Sequence, residues 1–362
     1  MRKIQCLLFV VAIITQACAP TTQTPSISND MAQDEAALQR ELAVKENFKY
    51  VQRLENVAAP ILMNNTELCG DLVAPYLGVE LATKDGFSKE YQQTMADLYG
   101  VGAYPTVTLV AAKAPAAGKL DVGDMVTHVN GVALPQGKRS VAEFYKLIAA
   151  SENQTVNLSV DRSGNAKNVS VKPVLACNSP VRLSISDSVN AFADGKQIGV
   201  TKGMMRFVES DAELATVIGH ELAHNTRAHI PAKRGNAIIG GVLGVAVSIA
   251  TGINVTGLGS QLGAGVNSQA FEAEADYVGL YHTARGGYAI SHTPNLWRRI
   301  AASSPGAINL SGSTHPSTAK RFLALEATVK EINAKKAAGL PLLPEEKAAQ
   351  NNTDSEQSSL ND

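Results

Sequence analysis

Three residues near the middle of the chain have the types and spacing of a metal site. His220 and His224 are four residues apart, and Glu221 follows the first of them in the stretch GHELAH. Positions i and i+4 of a helix share one face, so both imidazoles can point at one ion. Zinc accepts neutral imidazoles and keeps one position for water, beside which a carboxylate can act as general base. The spacing predicts a hydrolytic zinc site with Glu221 as base.

The element that must position these residues is a helix. Ser210 and Glu213 have the spacing of a capping box, which marks a helix start just upstream of the motif. Apolar residues then recur at helical spacing and predict one buried stripe. They are Leu214, Val217, Ile218 and Leu222.

The histidine that follows the motif is a poor candidate for the third ligand. His229 comes nine residues after His220, which is about 180° around a continuing helix. We therefore interpret His229 as a polar or capping histidine near the helix end, just before Pro231.

A better third ligand lies in a second helical stretch. Glu272 and Asp276 are spaced i, i+4 and face one side, whereas Glu274 points about 160° away. A ligand carboxylate with a second carboxylate one turn later can complete the metal site and also orient a ligand histidine. The pattern favours Glu272 as ligand and Asp276 as its supporting neighbour.

Composition excludes one broad class of function. The chain has 362 residues, 45% of them hydrophobic, with 32 Lys and Arg against 33 Asp and Glu. Nucleic-acid-binding domains usually carry a basic excess, so this balance gives no reason to expect such a partner. A chain of this length can bury a sizeable core and typically forms two domains.

The start of the chain has the pattern of an export signal. Two basic residues precede an apolar run from Leu7 to Ile14, which is too short to cross a bilayer. Cys18 resembles the lipidated cysteine of bacterial lipoproteins, although Thr15 stands where that signal favours an aliphatic residue. We expect a lipid on Cys18, with a plain secreted protein as the alternative.

Two cysteines then remain for the exported fold. Cys69 and Cys177 form an even pair in an oxidising compartment, which predicts a disulfide. Two buried free thiols are the alternative.

Changes of composition divide the chain. Helix formers are abundant over 31–57, and the end of the chain is polar. Between Cys69 and Cys177, short strands are expected over 106–110, 124–129, 155–160 and 168–174, a helix over 140–150, and turns at Asn130-Gly131 and Ser163-Gly164. The predicted segments are a signal peptide (1–18), a tether with a helix (19–70), a β-rich domain (71–176), a catalytic domain (177–340) and a disordered tail (341–362).

The β-rich segment resembles the PDZ domains of bacterial periplasmic proteases. The resemblance lies in YLGV and in APAAGKLDVGDMVTHVNG, and it covers about a hundred residues. It implies that Leu77, Gly78 and Val79 bind the end of a peptide, which adds as a strand to the sheet edge. A PDZ-like spacer with a blocked groove is the alternative.

Three longer stretches carry a second resemblance. They are VNAFADGKQIGVTKGMMRFVESDAELATVIGHELAH, EAEADYVGLYHTARGGY and STHPSTAKRF, in this order. Together they resemble the zinc metallopeptidase family that includes HtpX, the CAAX prenyl endopeptidases and the mitochondrial OMA-like peptidases, and most of all its periplasmic lipoprotein members with a PDZ domain. The resemblance implies one zinc ion per chain on His220, His224 and Glu272, with Glu221 as base.

The same resemblance implies roles for residues outside the motif. His315 would return to the site as a transition-state hydrogen-bond donor or a reversible fourth ligand, with a structural loop histidine as the alternative. Arg321 would support the site or the oxyanion. The stretch 190–200 would form an edge strand for an extended substrate. Its contacting residues would be Asn190, Ala191 and Phe192.

An uncharged, glycine-containing stretch over 237–253 follows the motif. It is short for a membrane span, and its glycines and β-branched residues make a poor isolated helix. We interpret it as a buried or substrate-covering helix pair, with membrane contact as the alternative.

These observations predict an α+β protein with an α-rich gluzincin-type zinc peptidase domain and a small sheet, preceded by a β-rich PDZ-like domain. The expected function is that of a zinc endopeptidase of the bacterial cell envelope, acting on protein or peptide substrates. The lipid-anchored protein would face the periplasm, from the outer membrane rather than the inner. A chaperone or adaptor on the same fold, or an integral-membrane protease, is the alternative.

Overall fold

The computed structural model describes residues 22–251, 268–303 and 319–346. The chain divides into two compact units after Val44. Among its described residues, the first unit holds an exposed segment over 22–28 and the first turns of helix α1 (Asn29–Asn64), which continues into the second unit. The helix predicted over 31–57 is confirmed, and it ends seven residues later than expected.

The second unit contains the remaining described elements. Its other helices are α2 (Thr66–Cys69), α3 (Lys89–Tyr99), α4 (Arg139–Ala149), α5 (Lys202–Phe207), α6 (Asp211–Thr226), α7 (His229–Thr251), α8 (Ser268–Arg285), α9 (Thr293–Ser303) and α10 (Ala319–Ala337). Its strands are β1 (Val73–Tyr76), β2 (Val79–Ala82), β3 (Thr106–Val110), β4 (Met125–Val129), β5 (Val132–Ala133), β6 (Val156–Arg162), β7 (Asn165–Val171), β8 (Val174–Cys177), β9 (Val181–Ser184), β10 (Ala191–Ala193) and β11 (Ile198–Thr201).

The β-rich segment forms an antiparallel sheet covered by one helix. Its strand order is β2-β3-β4-β6-β7, with β5 paired to β4. Helix α4 packs against this sheet through Phe144 and Ile148, which are one turn apart and at most 2% exposed. Strand β2 lies at the edge of the sheet, beside α4.

Two short turns set the register of this sheet. Asn130 (φ 51°) and Gly131 (φ 79°) join β4 to β5, and Ser163 (φ 54°) and Gly164 (φ 81°) join β6 to β7. Positive φ at both central residues is the geometry that two-residue hairpins require. Both turns predicted from the sequence are therefore confirmed.

One predicted strand ends earlier than expected. The stretch 168–174 divides into β7, which pairs with β6, and β8, which pairs with β1. Pro173 lies between β7 and β8, and proline cannot donate a ladder hydrogen bond, so the first strand ends there.

The catalytic segment combines a small sheet with helices packed around α6. Strand order is β10-β11-β9, with β11 parallel to β9 and antiparallel to β10. The core lies between α1 and α6, where Leu54 and Ile61 meet Leu214, Ile218 and Leu222, all fully buried. The predicted apolar stripe of the motif helix is therefore confirmed.

The uncharged stretch after the motif differs from its prediction. As far as Thr251 it belongs to the single helix α7, and its described apolar side chains are exposed, including Ile238 at 68% and Val242 at 65%. The expectation of a buried helix pair is wrong for this part, whereas the substrate-covering role stays a prediction, and residues 252 and 253 lie outside the described ranges. Within the described residues, no helix has the length and apolar character that crossing a membrane would need.

A disulfide joins the entry and the exit of the β-rich segment. Cys69 and Cys177 are bonded, with their Cα atoms 5.7 Å apart, and both are 3% exposed. Strands β1 and β8 pair beside this bond, with Val73 opposite Cys177. The bond closes a loop that spans 108 positions in the sequence.

We predict that replacing both bonded cysteines, Cys69→Ser with Cys177→Ser, lowers the melting temperature by roughly 5–15 °C. A closed loop of this length restricts the unfolded chain by about 4–5 kcal/mol. Calorimetry of the variant and of wild type, each with and without a thiol reductant, measures the effect. A melting temperature unchanged in both comparisons would contradict it.

Candidate metal centre

The motif helix α6 begins with a satisfied N-terminus. Ser210 Oγ accepts a hydrogen bond from the Glu213 backbone N–H at 3.2 Å, and Glu213 Oε2 accepts one from Glu209 N–H at 2.7 Å. The reciprocal bond of the capping box thus goes one residue further back than the pattern predicts. The capped helix starts at Asp211 and ends at Thr226, so His220 and His224 lie on its last two turns.

Helix α6 crosses helix α8 at two glycines. A Cβ built on Gly279 would lie 2.8 Å from the His220 Cα, and one built on Gly219 would lie 2.5 Å from the Gly279 carbonyl oxygen. Such distances leave no room for a side chain at either position. The close crossing brings Glu272 and Asp276 of α8 against the histidines of α6.

Three side chains converge at this crossing. The Nε2 atoms of His220 and His224 are 3.2 Å apart, and Glu272 places Oε2 3.4 Å from the first and Oε1 3.4 Å from the second. These three residues form the cluster of possible ligands found among the described residues. All three side chains are at most 2% exposed.

The spacing of these atoms fits a zinc ion. Ligand atoms about 2.1 Å from one ion in tetrahedral directions lie about 3.4 Å from each other. The three observed separations lie within 0.2 Å of that value, with one oxygen of the Glu272 carboxylate facing each histidine. Two imidazole nitrogens and one carboxylate oxygen are also a common zinc donor set.

A second carboxylate orients the first histidine. Asp276 Oδ1 lies 3.1 Å from His220 Nδ1, and Arg321 donates two hydrogen bonds to Asp276, at 2.6 and 2.8 Å. Arg321 also lies 3.5 Å from Glu272. The structure therefore places Arg321, which we expected to support the site or the oxyanion, on the carboxylates of α8.

The charged side chains around His220 shift one another's pKa values against the effect of burial. Burial by itself raises the pKa of Asp276, but the Arg321 guanidinium holds it below its usual range. Burial by itself lowers the pKa of His220, but its hydrogen bonds to Asp276 and Glu272 outweigh burial and raise the pKa to about 9. The carboxylates thus favour positive charge at the point where a metal cation would lie.

Glu221 lies beside the first ligand on α6 and is 2% exposed. Burial by itself lowers the pKa of Arg321, but the charges of Asp276, Glu272 and then Glu221 outweigh burial and raise it. Glu221 and Arg321 therefore share one electrostatic environment. The position agrees with the predicted general base, which must lie next to the metal-facing histidines.

The chain turns sharply after α6, which changes the placement of His229. Ala228 has a φ of 54°, in the left-handed region, and α7 begins at the next residue. The angular argument assumed one continuous helix, and it is wrong because the helix breaks at Ala228. His229 is 1% exposed and folds back onto His224, with their Nδ1 atoms 3.0 Å apart.

Glu274 stays outside the cluster of possible ligands and is 47% exposed, as its predicted orientation requires, but it contacts His229. Its Oε2 lies 3.0 Å from His229 Nε2, so it reaches the site through that imidazole. Burial lowers the pKa of His229, which keeps the ring neutral near pH 7. Pro231, two residues after His229, is the sequence signal that could have indicated a new helix start here.

Two other residues lie at the site, and no motif or spacing in the sequence predicts their place there. Lys233 Nζ lies 3.6 Å from Glu272 Oε1, and the ring of Trp297 lies 4.9 Å from that of His220, between centroids. Both come from elements that meet the motif only in the folded chain. Trp297 is also within 5.7 Å of the Arg321 guanidinium, which adds a cation–π contact.

The predicted substrate strand is shorter than expected. Strand β10 (191–193) lies at the sheet edge beside α6, whereas 198–200 belongs to the central strand β11. Asn190 precedes β10, and its carbonyl accepts a hydrogen bond from Thr201. Ala191 is buried, and Phe192 is 39% exposed, so the exposed contact surface at this edge centres on Phe192.

The predicted peptide-binding loop lies at the edge strand of the β-rich sheet. Gly78 has a φ of 73°, and a Cβ there would overlap Ala114, so the loop requires glycine. Leu77 and Val79 are buried, and Tyr145 of α4 donates a hydrogen bond to the Val79 carbonyl at 2.8 Å. The tyrosine thus occupies a backbone acceptor that an added strand would use.

Two predicted functional residues, Cys18 and His315, lie outside the described residues.

Two family models match this chain, in ranges that overlap over residues 160–172. Residues 160–329 match the family model described as Peptidase family M48, and residues 75–172 match that of the PDZ domain. The mitochondrial metalloendopeptidase OMA1 of Arabidopsis thaliana is 32% identical over 161 residues, which are 44% of this chain and 32% of that protein. The beta-barrel assembly-enhancing protease of Yersinia pestis is 27% identical over 130 residues, which are 32% of this chain and 27% of that protein.

The chain thus spans about a third of the length of these curated relatives. Among solved structures, the HtrA-type protease AlgW with decapeptide is 24% identical over 28% of this chain and 30% of that chain. Its TM-score of 0.23 is too low to indicate a shared fold. The family models and the converging histidines and glutamate lead to one conclusion. The chain carries a domain of peptidase family M48, and a PDZ domain precedes it.

Proposed function

We propose that this protein is a zinc-dependent endopeptidase. The observation that carries the proposal is the convergence of His220, His224 and Glu272 at separations that fit one tetrahedral ion, with Glu221 beside them. Zinc held by these side chains would supply a Lewis acid that polarises the peptide carbonyl and acidifies water. The named relatives that share this region are metalloendopeptidases or proteases, which supports the same class of reaction.

The proposed roles of the protein's own residues follow from their positions. Glu221 takes a proton from the attacking water and gives it to the leaving amine. Asp276 and Arg321 hold His220 and Glu272 in place, so the ligand geometry exists before substrate arrives. An extended substrate pairs with β10 at the sheet edge, with Phe192 as its apolar contact.

The ligand side chains are almost completely buried, so substrate binding requires the site to open. We also propose that His315 acts as a transition-state hydrogen-bond donor or as a reversible fourth ligand of the zinc ion. The PDZ domain would select protein or peptide substrates through the edge of β2. An occupant of that edge must displace Tyr145 from the Val79 carbonyl.

We predict that Glu221→Gln lowers proteolysis of an unfolded protein substrate by roughly 10²–10⁴-fold, because the amide cannot accept the proton. Zinc content should stay at the wild-type level, since Glu221 is not a proposed ligand. Cleavage rates by gel or peptide release, together with elemental analysis, give both readings.

Glu90→Gln is the matched control, because Glu90 is exposed on α3 in the PDZ domain. It should keep wild-type activity. Equal degradation by wild type and the Glu221→Gln protein would refute the endopeptidase and favour a chaperone or adaptor.

We predict that Glu272→Gln weakens zinc binding by more than about 100-fold, because it removes the only anionic ligand of the proposed three. Activity should fall with the metal content. Zinc per chain after dialysis and chelator competition measure the affinity, with circular dichroism to verify folding. Retention of one zinc ion per folded chain would exclude Glu272 as a ligand.

We also propose that the protein is anchored in the bacterial cell envelope by a lipid on Cys18 and faces the periplasm, from the outer membrane in preference to the inner. The support is the signal-like start of the sequence and the disulfide between Cys69 and Cys177, a bond typical of oxidising compartments.

We predict that Cys18→Ala releases the protein from membranes into the soluble fraction, because the lipid is then absent. Fractionation with carbonate extraction, beside wild type, measures the distribution. Membrane retention of the variant would instead indicate an integral segment.

A further inference from the structure

A row of three side chains runs from the protein surface to one candidate metal ligand. Glu274 Oε2 lies 3.0 Å from His229 Nε2, and His229 Nδ1 lies 3.0 Å from His224 Nδ1. His229 is 1% and His224 2% exposed, whereas the Glu274 side chain is 47% exposed. The row therefore begins in solvent and ends at the ion-facing ring.

The order of donors and acceptors in this row follows from the chemistry of its members. An ionised carboxylate only accepts hydrogen bonds, so His229 donates to Glu274 from Nε2. The Nδ1 atom of a neutral His229 is then an acceptor, and it takes the hydrogen of His224 Nδ1. A neutral His224 that carries its hydrogen on Nδ1 has a lone pair on Nε2, the atom that faces His220 and Glu272.

We propose that His229, held by Glu274, is a positioning residue that sets the tautomer and ring orientation of His224 for metal binding. The inference rests on the proposed zinc site and adds the residues that contact His224 on Nδ1, the ring nitrogen that faces away from the ion. His220 is oriented by a carboxylate directly, whereas His224 is oriented through an intervening imidazole.

Packing fixes the middle of the row in one orientation. The Phe271 ring stacks on His229 at 4.7 Å between centroids, with 24° between the planes. Phe271, Glu272 and Glu274 lie within one turn of α8, so a single turn supplies the stacking ring, a candidate ligand and the end of the row. The left-handed turn at Ala228 then brings His229 to that helix turn.

Three substitutions separate the links of the row. His229→Leu removes both hydrogen bonds, and Glu274→Ala removes only the outer one. His229→Gln keeps an acceptor toward His224 and a donor toward Glu274. Glu326→Ala is the matched control for Glu274→Ala, because Glu326 is a glutamate of similar exposure (42%) in an ion pair with Arg298, on helix α10.

The measurements are the zinc dissociation constant by chelator competition, the visible absorption spectrum of the Co²⁺-substituted protein, and the melting temperature of the metal-free protein. We expect His229→Leu to weaken zinc binding by roughly 10–100-fold and to alter the Co²⁺ spectrum. Glu274→Ala should weaken it less, and His229→Gln should recover part of the loss. The Glu326→Ala protein should match wild type.

A merely structural role predicts a different result. His229→Leu would then lower the melting temperature of the metal-free protein while the folded fraction binds zinc and Co²⁺ as wild type does. Unchanged zinc affinity and Co²⁺ spectrum in Glu274→Ala and in folded His229→Leu overturn the proposal. Since Glu274 is half exposed, its variant keeps the test decisive even if His229→Leu fails to fold. Wild type that binds no zinc refutes the proposed function and this inference together.

Discussion

The close crossing of α6 and α8 is the constraint on which the candidate site depends. Gly219 and Gly279 leave no space for a Cβ between the two backbones, and only this approach lets ligands from both helices meet at about 3.4 Å. A Cβ at either glycine would lie 2.5–2.8 Å from the facing backbone, so the helices would have to move apart and the ligand separations would grow. The two glycines are therefore part of the site, although neither of them carries a functional group.

The second constraint is the balance of buried charge. Burying carboxylates costs several kcal/mol each unless cations and hydrogen-bond donors compensate. Asp276 is compensated by two hydrogen bonds from Arg321, and Glu272 lies within 3.6 Å of Arg321, Lys233 and both ligand histidines. The protein thus gathers cationic groups around an acidic centre. A metal ion at the same centre would complete the balance.

Local periodicity explains what the sequence could predict. The capped motif helix, its apolar stripe and the i, i+4 pair of carboxylates are all properties of one helix each, so spacing along the chain was enough. His229 is different, because its position depends on where α6 stops. That end is a left-handed Ala228, a residue type with no preference for such a turn, and the next residue, His229, contacts Glu274 and Phe271 of α8. The contacts of Lys233 with Glu272 and of Trp297 with His220 likewise depend on how separate helices pack.

The peptidase segment and the PDZ sheet line one cavity. A cavity of about 390 Å³ is lined by Val79 and Tyr145 of the PDZ sheet and helix, and also by Glu55 of α1 and Arg182 of β9. Burial, and then the nearby Glu80, raise the pKa of Glu55 to about 8 despite Arg182. The disulfide and the β1–β8 pair hold the same junction. A molecule in this cavity would contact strand β9 of the catalytic sheet, whose other edge is β10, the proposed substrate strand.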